Sequence, residues 1–359
     1  MKKLIFTLFL LLSTSSFCLS EVKTLKVYTY DSFVSDWGPG PSIEKAFEKI
    51  CDCDLQLIGA GDGAALLAKL LLEGELTEAD VVLGLDTNLI SRAKETGLFA
   101  KHSKTLDLNL PIAWDDDTFI PFDWGYFAFV YNAKNISNVP NNFKELANQS
   151  NLKIVIQDPR SSTPGLGLLM WIKAAYGDES NKIWKGLAPN ILTVTKGWSE
   201  AYGLFMDGEA DLVLSYTTSP AYHMIAENDS SKKAAIFDEG HYMQIEVAAK
   251  ISNTDQTELA DKFLDFMLSE KFQTIIPTTN WMYPVINLDT KLDKAFLSPK
   301  PKNKRLKASK VRTIPLRLGI WYAPLMITIS PVIVQTRTVS RSGPSIATNP
   351  SSVPLELCD

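Results

Sequence analysis

Histidine is scarce in this chain: three residues among 359, His102, His223 and His241, and neither they nor the four cysteines show the spacing of zinc ligands. The sequence also lacks a G-x-S-x-G elbow, a Walker-type loop and a G-x-G-x-x-G turn, so the usual local signals of a serine nucleophile or a nucleotide cradle are missing. Neither sign of charge dominates. The 36 Lys and Arg face 41 Asp and Glu, and a net charge of −5 gives no reason to expect nucleic acid or an anionic membrane as the main partner. No catalytic residue, no metal ligand set and no cofactor is expected from these residues.

What is present is length enough for two lobes, each with its own core. The start, "MKKLIFTLFLLLSTSSFCLS", has Lys2 and Lys3, an apolar run from Leu4 to Leu12 and the small residues Cys18 and Ser20. This pattern predicts an export signal over residues 1–20 with cleavage before Glu21. The bulky Phe17 argues against Cys18 as a lipid-anchored residue, and the apolar run is too short for a permanent span. Export to the periplasm leaves Cys51, Cys53 and Cys358 in an oxidising compartment. "CDC" then either closes a very small ring or keeps two reduced thiols side by side; the spacing alone leaves both open.

Short β-rich runs recur before turns and helical patterns: "TLKVYTY" (24–30), "ADVVLGL" (79–85), "LKIVIQD" (152–158) and "ADLVLSY" (210–216). Near-continuous apolar strands alternating with helices indicate an α/β fold with parallel sheets covered on both faces. In such sheets ligands bind beyond the carboxyl ends of the strands. The segments found there are "YDSFVSDWGPG", "LDTN", "DPRSSTPG" and "SYTTSPAYH", all rich in aromatic, acidic and hydroxyl residues. "GYFAFVYN" (125–132), after the turn-like "WDDDTFIPFDWG", reads as a crossing between lobes. "TELADKFLDFMLSEKFQTII" reads as a helix pair packed on the first lobe, with Leu259, Phe263 and Phe266 on one face.

Several of these residues suit a ligand. In "DPRSSTPGLG", Thr163 is placed to cap a helix and Pro164 to open it, and the free N–H groups of a helix start attract phosphate or carboxylate. Ser161, Ser162 and Thr163 add hydroxyl donors. Trp198, Tyr202 and Phe205 form one helical stripe in "KGWSEAYGLF". Tyr202 and Phe205 read as core; Trp198, beside Gly197 at the helix start, suits either core or ligand contact. Tyr30, Trp37, Tyr216, Tyr222 and Trp281 read as loop aromatics able to wall a flat or cationic ring, with Asp31, Asp36 and Asp62 as complementary charge. Asp62 also suits the N-cap of the next helix.

The runs "VYTYDSF", "DWGPGP", "ADVVLGLD", "DTFIPFDWGYFAFVY", "QDPRSSTPGLGLLMW", "VTKGWSEAYGLF", "DLVLSYTTSPAYH", "EGHY" and "NWMYPV" together closely resemble the periplasmic thiamine-binding proteins of bacterial ABC importers, from Leu25 to about Leu288. The resemblance implies a two-lobed, type II periplasmic-binding-protein fold, each lobe a mainly parallel sheet flanked by helices and hinged around a ligand cleft. It places lobe 1 at 21–122 and 246–298 and lobe 2 at 123–245. It implies a monomer that carries thiamine, thiamine monophosphate or thiamine diphosphate to an inner-membrane permease. The positions that match the family's ligand residues are Asp62, Gly63, Ser162, Thr163, Trp198, Tyr216, Thr217, Thr218 and Ser219; by position, Tyr30, Trp37, Tyr222 and Trp281 are added as walls, and His223 is expected to be structural.

The resemblance ends near residue 298. From Pro299 onward there are ten Lys or Arg and only Glu356 and Asp359 as acids, leaving 26 basic (36 − 10) and 39 acidic (41 − 2) residues before it. An atypical, poorly ordered basic tail is expected over 299–359, its apolar run broken by Pro324 and Pro331. Two other readings are weighed: a carrier of another cationic solute such as a polyamine, and a thiamine-cleaving transferase on the same fold. The transferase needs an activated cysteine in the cleft, and the body offers only the adjacent Cys51 and Cys53.

Overall fold

The computed structural model describes residues 22–297, all within the first of two compact units, residues 1–314. The second unit (315–359), the expected export signal and the expected basic tail lie outside the described residues. In chain order the first unit runs β1 (Lys23–Thr29), α1 (Asp31–Val34), α2 (Gly40–Cys51), β2 (Cys53–Gly59), α3 (Gly63–Glu73), β3 (Val81–Asp86) and α4 (Ile90–Glu95). It continues with β4 (Ile120–Asn132), α5 (Phe143–Asn148), β5 (Ile154–Gln157), α6 (Thr163–Tyr176), α7 (Ser180–Leu187), β6 (Ile191–Thr195), α8 (Trp198–Met206) and β7 (Leu212–Tyr216). Last come α9 (Ser219–Ala226), β8 (Lys232–Ala234), β9 (Met243–Lys250), α10 (Thr257–Met267), α11 (Glu270–Gln273), α12 (Ile276–Thr279) and β10 (Tyr283–Pro284).

The strands join in the order β2-β1-β3-β9-β4-β7-β5-β6, with β8 and β10 both pairing β4. The α/β expectation is borne out, and the sheet is mixed. β1 pairs β2 and β3 in parallel, and β5 pairs β6 and β7 in parallel, but β9 and β4 run against their neighbours. β4 is the strand common to both halves. Its first half, Ile120–Tyr126, pairs β9, and its second, Phe127–Tyr131, pairs β7.

The turn-like reading of the residues before Gly125 is therefore corrected, because "IPFDWG" is strand. The buried Ile120 and Phe122 supply its apolar faces, and Pro121 is tolerated at a register shift between Pro121 and Asp123. A proline has no N–H to give to the ladder, so an irregularity is where a strand can hold one.

Periodicity explains the helices that cover this sheet. In α2, Ile43, Ala46 and Phe47 share the buried face, and the chain leaves through Asp52 at φ 54°. Cys51 and Cys53 are joined in a disulfide around that turn. In α10, Leu259, Phe263 and Phe266 are buried, as their spacing predicts, and pack with Phe47, Phe122 and Phe272 on one face of the first half-sheet. Leu66, Leu67 and Leu70 of α3 cover the opposite face over Val82, Ile245 and Val247. The second half carries an aromatic cluster of Phe129, Phe143, Trp171 and Phe237. Each such side chain, fully buried, stabilises by about 1.5–3 kcal/mol. The last described stretch straddles both halves: β10 pairs β4, while Ala295 and Phe296 pack on Ala221 and Met224 of α9.

Candidate functional site

Three helix starts converge on one carboxylate. Asp62 holds the N-cap position of α3, yet its side chain makes no capping bond to its own helix. Its Oδ2 instead accepts from the Ser162 hydroxyl and, at 3.0 Å, from the backbone N–H of Trp198. Ser162 is the N-cap residue of α6, and Trp198 is the first residue of α8. The cap therefore falls one residue before the position expected from "STP", with Thr163 as the first helical residue and Pro164 the second. A second tie, Ala65 N–H to the Ser161 carbonyl at 2.9 Å, joins α3 to the same loop. Gly63 permits this approach: a Cβ there would lie 2.6 Å from Thr163 Cγ2 and 2.6 Å from the Gly84 carbonyl oxygen.

The arrangement is that of an anion site whose anion is built in. Helix starts favour negative charge, and the Asp62 carboxylate takes that place. Burial pushes the Asp62 carboxyl up, against the two hydrogen bonds that hold it down. Arg160, the nearby cation in sequence, is committed to Asp158.

The run 215–219 links this junction to the aromatic residues. Trp198 Nε1 donates to Ser215 Oγ at 2.8 Å; Ser215 Oγ meets Ser219 Oγ at 2.7 Å, and the Tyr216 N–H donates to Ser219 Oγ at 3.2 Å. Thr217 is anchored by its N–H on the Tyr126 carbonyl at 2.8 Å, and its hydroxyl is buried with no hydrogen-bond partner. Thr218 lies 4.0 Å from the Met282 sulfur. Tyr222 departs from the expectation of a loop aromatic: Ser219 opens α9, so Tyr222 and His223 sit on its first turns. Pro220 near the helix start makes that possible. His223 is structural as expected, fully buried between Tyr202 Oη at 2.8 Å and Glu227 at 2.6 Å.

The wall candidates divide. Trp37 is exposed and tilted against Trp198, ring centroids 6.2 Å apart, while Trp198 stacks on Tyr202 at 4.9 Å. Tyr222 and Trp281 meet edge to face at 5.2 Å. Trp281 holds φ 56°, uncommon for a bulky residue and a place where function is often found. Tyr30 is not an open loop aromatic. It is 7% exposed and lies against Gly84, where φ is 106° and a Cβ would stand 2.2 Å from its ring. Asp31 ties the backbone N–H of Gly61 at 2.8 Å and Asp36 is exposed, so the charge complement falls to other acids.

Those acids were missed in the sequence. Asp123 and Glu246 stand opposite each other in the β4–β9 register, and Asp86 stands opposite Glu246 on the other side. The Tyr30 hydroxyl donates to Glu246 Oε2 at 2.8 Å and Gln244 Nε2 donates to Oε1 at 2.7 Å. Asn280 Nδ2 bridges Tyr30 Oη at 2.9 Å and Asp123 Oδ2 at 2.5 Å, and Tyr216 Oη reaches Gln244 at 3.2 Å. Burial raises all three carboxyls: Asp86 and Asp123 each to about 7, and Glu246 well above its ordinary value with Asp123 adding to the push. The signal available in the sequence was a single acid inside each of two apolar runs, "FIPFDWG" and "MQIEVAA".

Chemically the site can hold and orient a molecule. The described cysteines are tied in a disulfide, so neither is a free thiol. Among the described residues no group of three or more His, Cys, Asp or Glu is arranged to hold a metal ion, and no helix is long and apolar enough to cross a membrane.

The family model for bacterial extracellular solute-binding proteins matches residues 77–312. The thiamine-binding periplasmic protein of Escherichia coli (strain K12) is 57% identical over 266 residues, 74% of this chain and 81% of that protein. Its counterpart in Haemophilus influenzae is 43% identical over 279 residues, 77% and 83% of the two chains. A solved structure described as a periplasmic thiamin binding protein superposes with a TM-score of 0.79 at 49% identity, covering 86% of this chain and 96% of that one.

Proposed function

This chain belongs to the thiamine-binding periplasmic proteins within the bacterial extracellular solute-binding family, and we propose that it captures thiamine or its mono- or diphosphate in the periplasm. It then hands the vitamin, chemically unchanged, to an inner-membrane ABC permease. It works as an exported monomer without a cofactor and without nucleic acid.

The observation that carries this reading is the junction of Asp62, Ser162 and Trp198 with the run 215–219. Asp62 and Gly63 follow β2 of the first half-sheet, whereas Ser162, Trp198 and the run belong to the second. A ligand held there touches both halves, and its binding energy favours their closure. Tyr30, Tyr216, Tyr222 and Trp281 supply faces for the pyrimidine and the cationic thiazolium, each cation–π contact contributing about 0.5–2 kcal/mol. Ser162, Thr163 and the start of α6 suit a phosphate once the Asp62 carboxylate gives way.

Calorimetry with thiamine, its two phosphates and spermidine tests the reading. Saturable heat with at least one thiamine form and none with spermidine is expected. Heat with spermidine alone would replace it by a polyamine carrier. Cleavage of thiamine on incubation with an added nucleophile would replace it by a transferase.

A further inference from the structure

The Asp123–Glu246 pair is built into the sheet without a counter-charge among the described residues. Both residues are buried, at 0% and 6% exposure, and stand opposite each other where β4 and β9 meet. Every element packed on the pair brings hydrogen-bonding or acidic groups. Tyr30 comes from the end of β1, Asp86 from β3, Gln244 from β9, Asn280 from beyond α12, and Tyr216, beyond Gln244, from β7. The charges acting on the two carboxyls are acidic, with no lysine or arginine among them. Glu246 is fully supplied with donors, whereas Asp123 Oδ1 is buried with none. A proton shared between the two carboxyls satisfies that oxygen and leaves one negative charge on the pair.

A buried charge without a partner is costly, and the described residues bring no cation to this pair. Two observations point to where a cation enters. The Tyr30 phenol donates to Glu246, and a phenol bound to the singly charged pair presents a more electron-rich face to a cation on its ring. The buried Thr217 hydroxyl, tied by its backbone to the same strand β4, also lacks a partner.

Building on the thiamine reading, we propose that the Asp123–Glu246 pair selects for positive charge, acting through Tyr30 on a cationic ring held against that phenol. The pair is a positioning and charge-selecting element rather than a contact surface. Shape and stacking accept any flat ring of the right size; the pair distinguishes the charged ring from its neutral isostere.

The test compares thiamine with 3-deazathiamine, in which carbon replaces the quaternary nitrogen, on wild type, Glu246→Gln and Asp123→Asn. Wild type is expected to favour thiamine. In Glu246→Gln, the thiamine affinity falls about tenfold and the neutral analogue is held as before, consistent with the size of a cation–π contribution. Asp123→Asn, which cannot hold the shared proton, shifts the pH profile of thiamine binding. Wild-type affinity weakens as pH falls below about 7, where a second proton neutralises the pair. Equal losses for both ligands, or no loss, overturn the proposal. Wild type binding neither compound overturns the thiamine reading instead. The pair is then judged on the ligand-free protein by carboxyl carbon NMR. One carboxyl of the two still protonated at neutral pH supports it, and both ionised by pH 5 overturns it.

Discussion

The carboxylate of Asp62, at the mouth of α3, accepts the backbone N–H of Trp198 at 3.0 Å across 136 residues of chain. A residue whose sequence position suits a cap thus closes a different helix. Its negative charge lies where a phosphate ester bound at the start of α6 would put its own. Both donors share Asp62 Oδ2, so Asp62→Asn keeps an acceptor for them in its amide oxygen and removes the charge. The ratio of thiamine diphosphate to thiamine affinity is expected to rise about tenfold, the upper range of one charge at a helix start. Calorimetry with both ligands reads this ratio, and an unchanged or lower ratio rejects the account.

Ser215 is the acceptor that fixes the Trp198 indole. It is fully buried, takes the Nε1–H at 2.8 Å and meets Ser219 Oγ at 2.7 Å. Ser215→Ala leaves the indole N–H and the Ser219 hydroxyl short of a partner, which costs about 1–3 kcal/mol. A fall in Tm of several degrees, with a shift in tryptophan emission, is expected. An unchanged Tm and spectrum would show that Ser219 alone suffices.

The strand runs, the helical stripes of α2 and α10 and the hydroxyl-rich start of α6 were legible because each rests on local periodicity or on turn chemistry, whereas the helix α9 that Ser219 opens was not. Tyr202 and Phe205 are buried on α8, as their helical spacing predicts. The acid pair was not legible. Asp123 and Glu246 become partners only through the β4–β9 register, and no local pattern shows which strands pair. Tyr30 looked like a loop residue for a similar reason. Its burial depends on Gly84 of β3, a neighbour supplied by tertiary structure.

Two buried groups give stability a pH dependence of opposite sign. His241 accepts the Phe237 N–H at Nε2 and donates from Nδ1 to the Phe127 carbonyl at 2.7 Å, a neutral ring. Burial lowers its pKa to about 4, below the ordinary 6.5, so the unfolded chain takes up the proton first and stability falls as pH drops from 6.5 toward 4. Asp86 is raised by burial from 3.8 to about 7, so the folded state holds the proton longer and stability falls as pH rises across that range. His241→Gln should therefore make stability decline more steeply from pH 4 to 6.5, and Asp86→Asn should flatten the decline up to 7. Urea titrations at five pH values check both. The same slope in all three proteins would place the titration elsewhere.

Phe296 is the far end of a strap. It is 2% exposed, packs with Ala221 and Met224 of α9, and is held by the Tyr283 hydroxyl on its carbonyl at 2.9 Å. Tyr283 lies on β10, which pairs β4 of the first half, so this segment ties α9 to a strand across the seam. α9 carries Tyr222, and the strap carries Trp281, whose rings meet at 5.2 Å. Phe296→Ala removes the buried ring and should cost about 3–5 kcal/mol, while Tyr283→Phe loses one hydrogen bond and should cost about 1 kcal/mol. If the strap sets the spacing of Tyr222 and Trp281, Phe296→Ala also speeds ligand release several-fold in stopped-flow fluorescence, whereas Tyr283→Phe leaves it near wild type. Loss of stability with unchanged release would reduce the strap to packing alone, and release that quickens in both variants would shift the control from the ring to the hydroxyl.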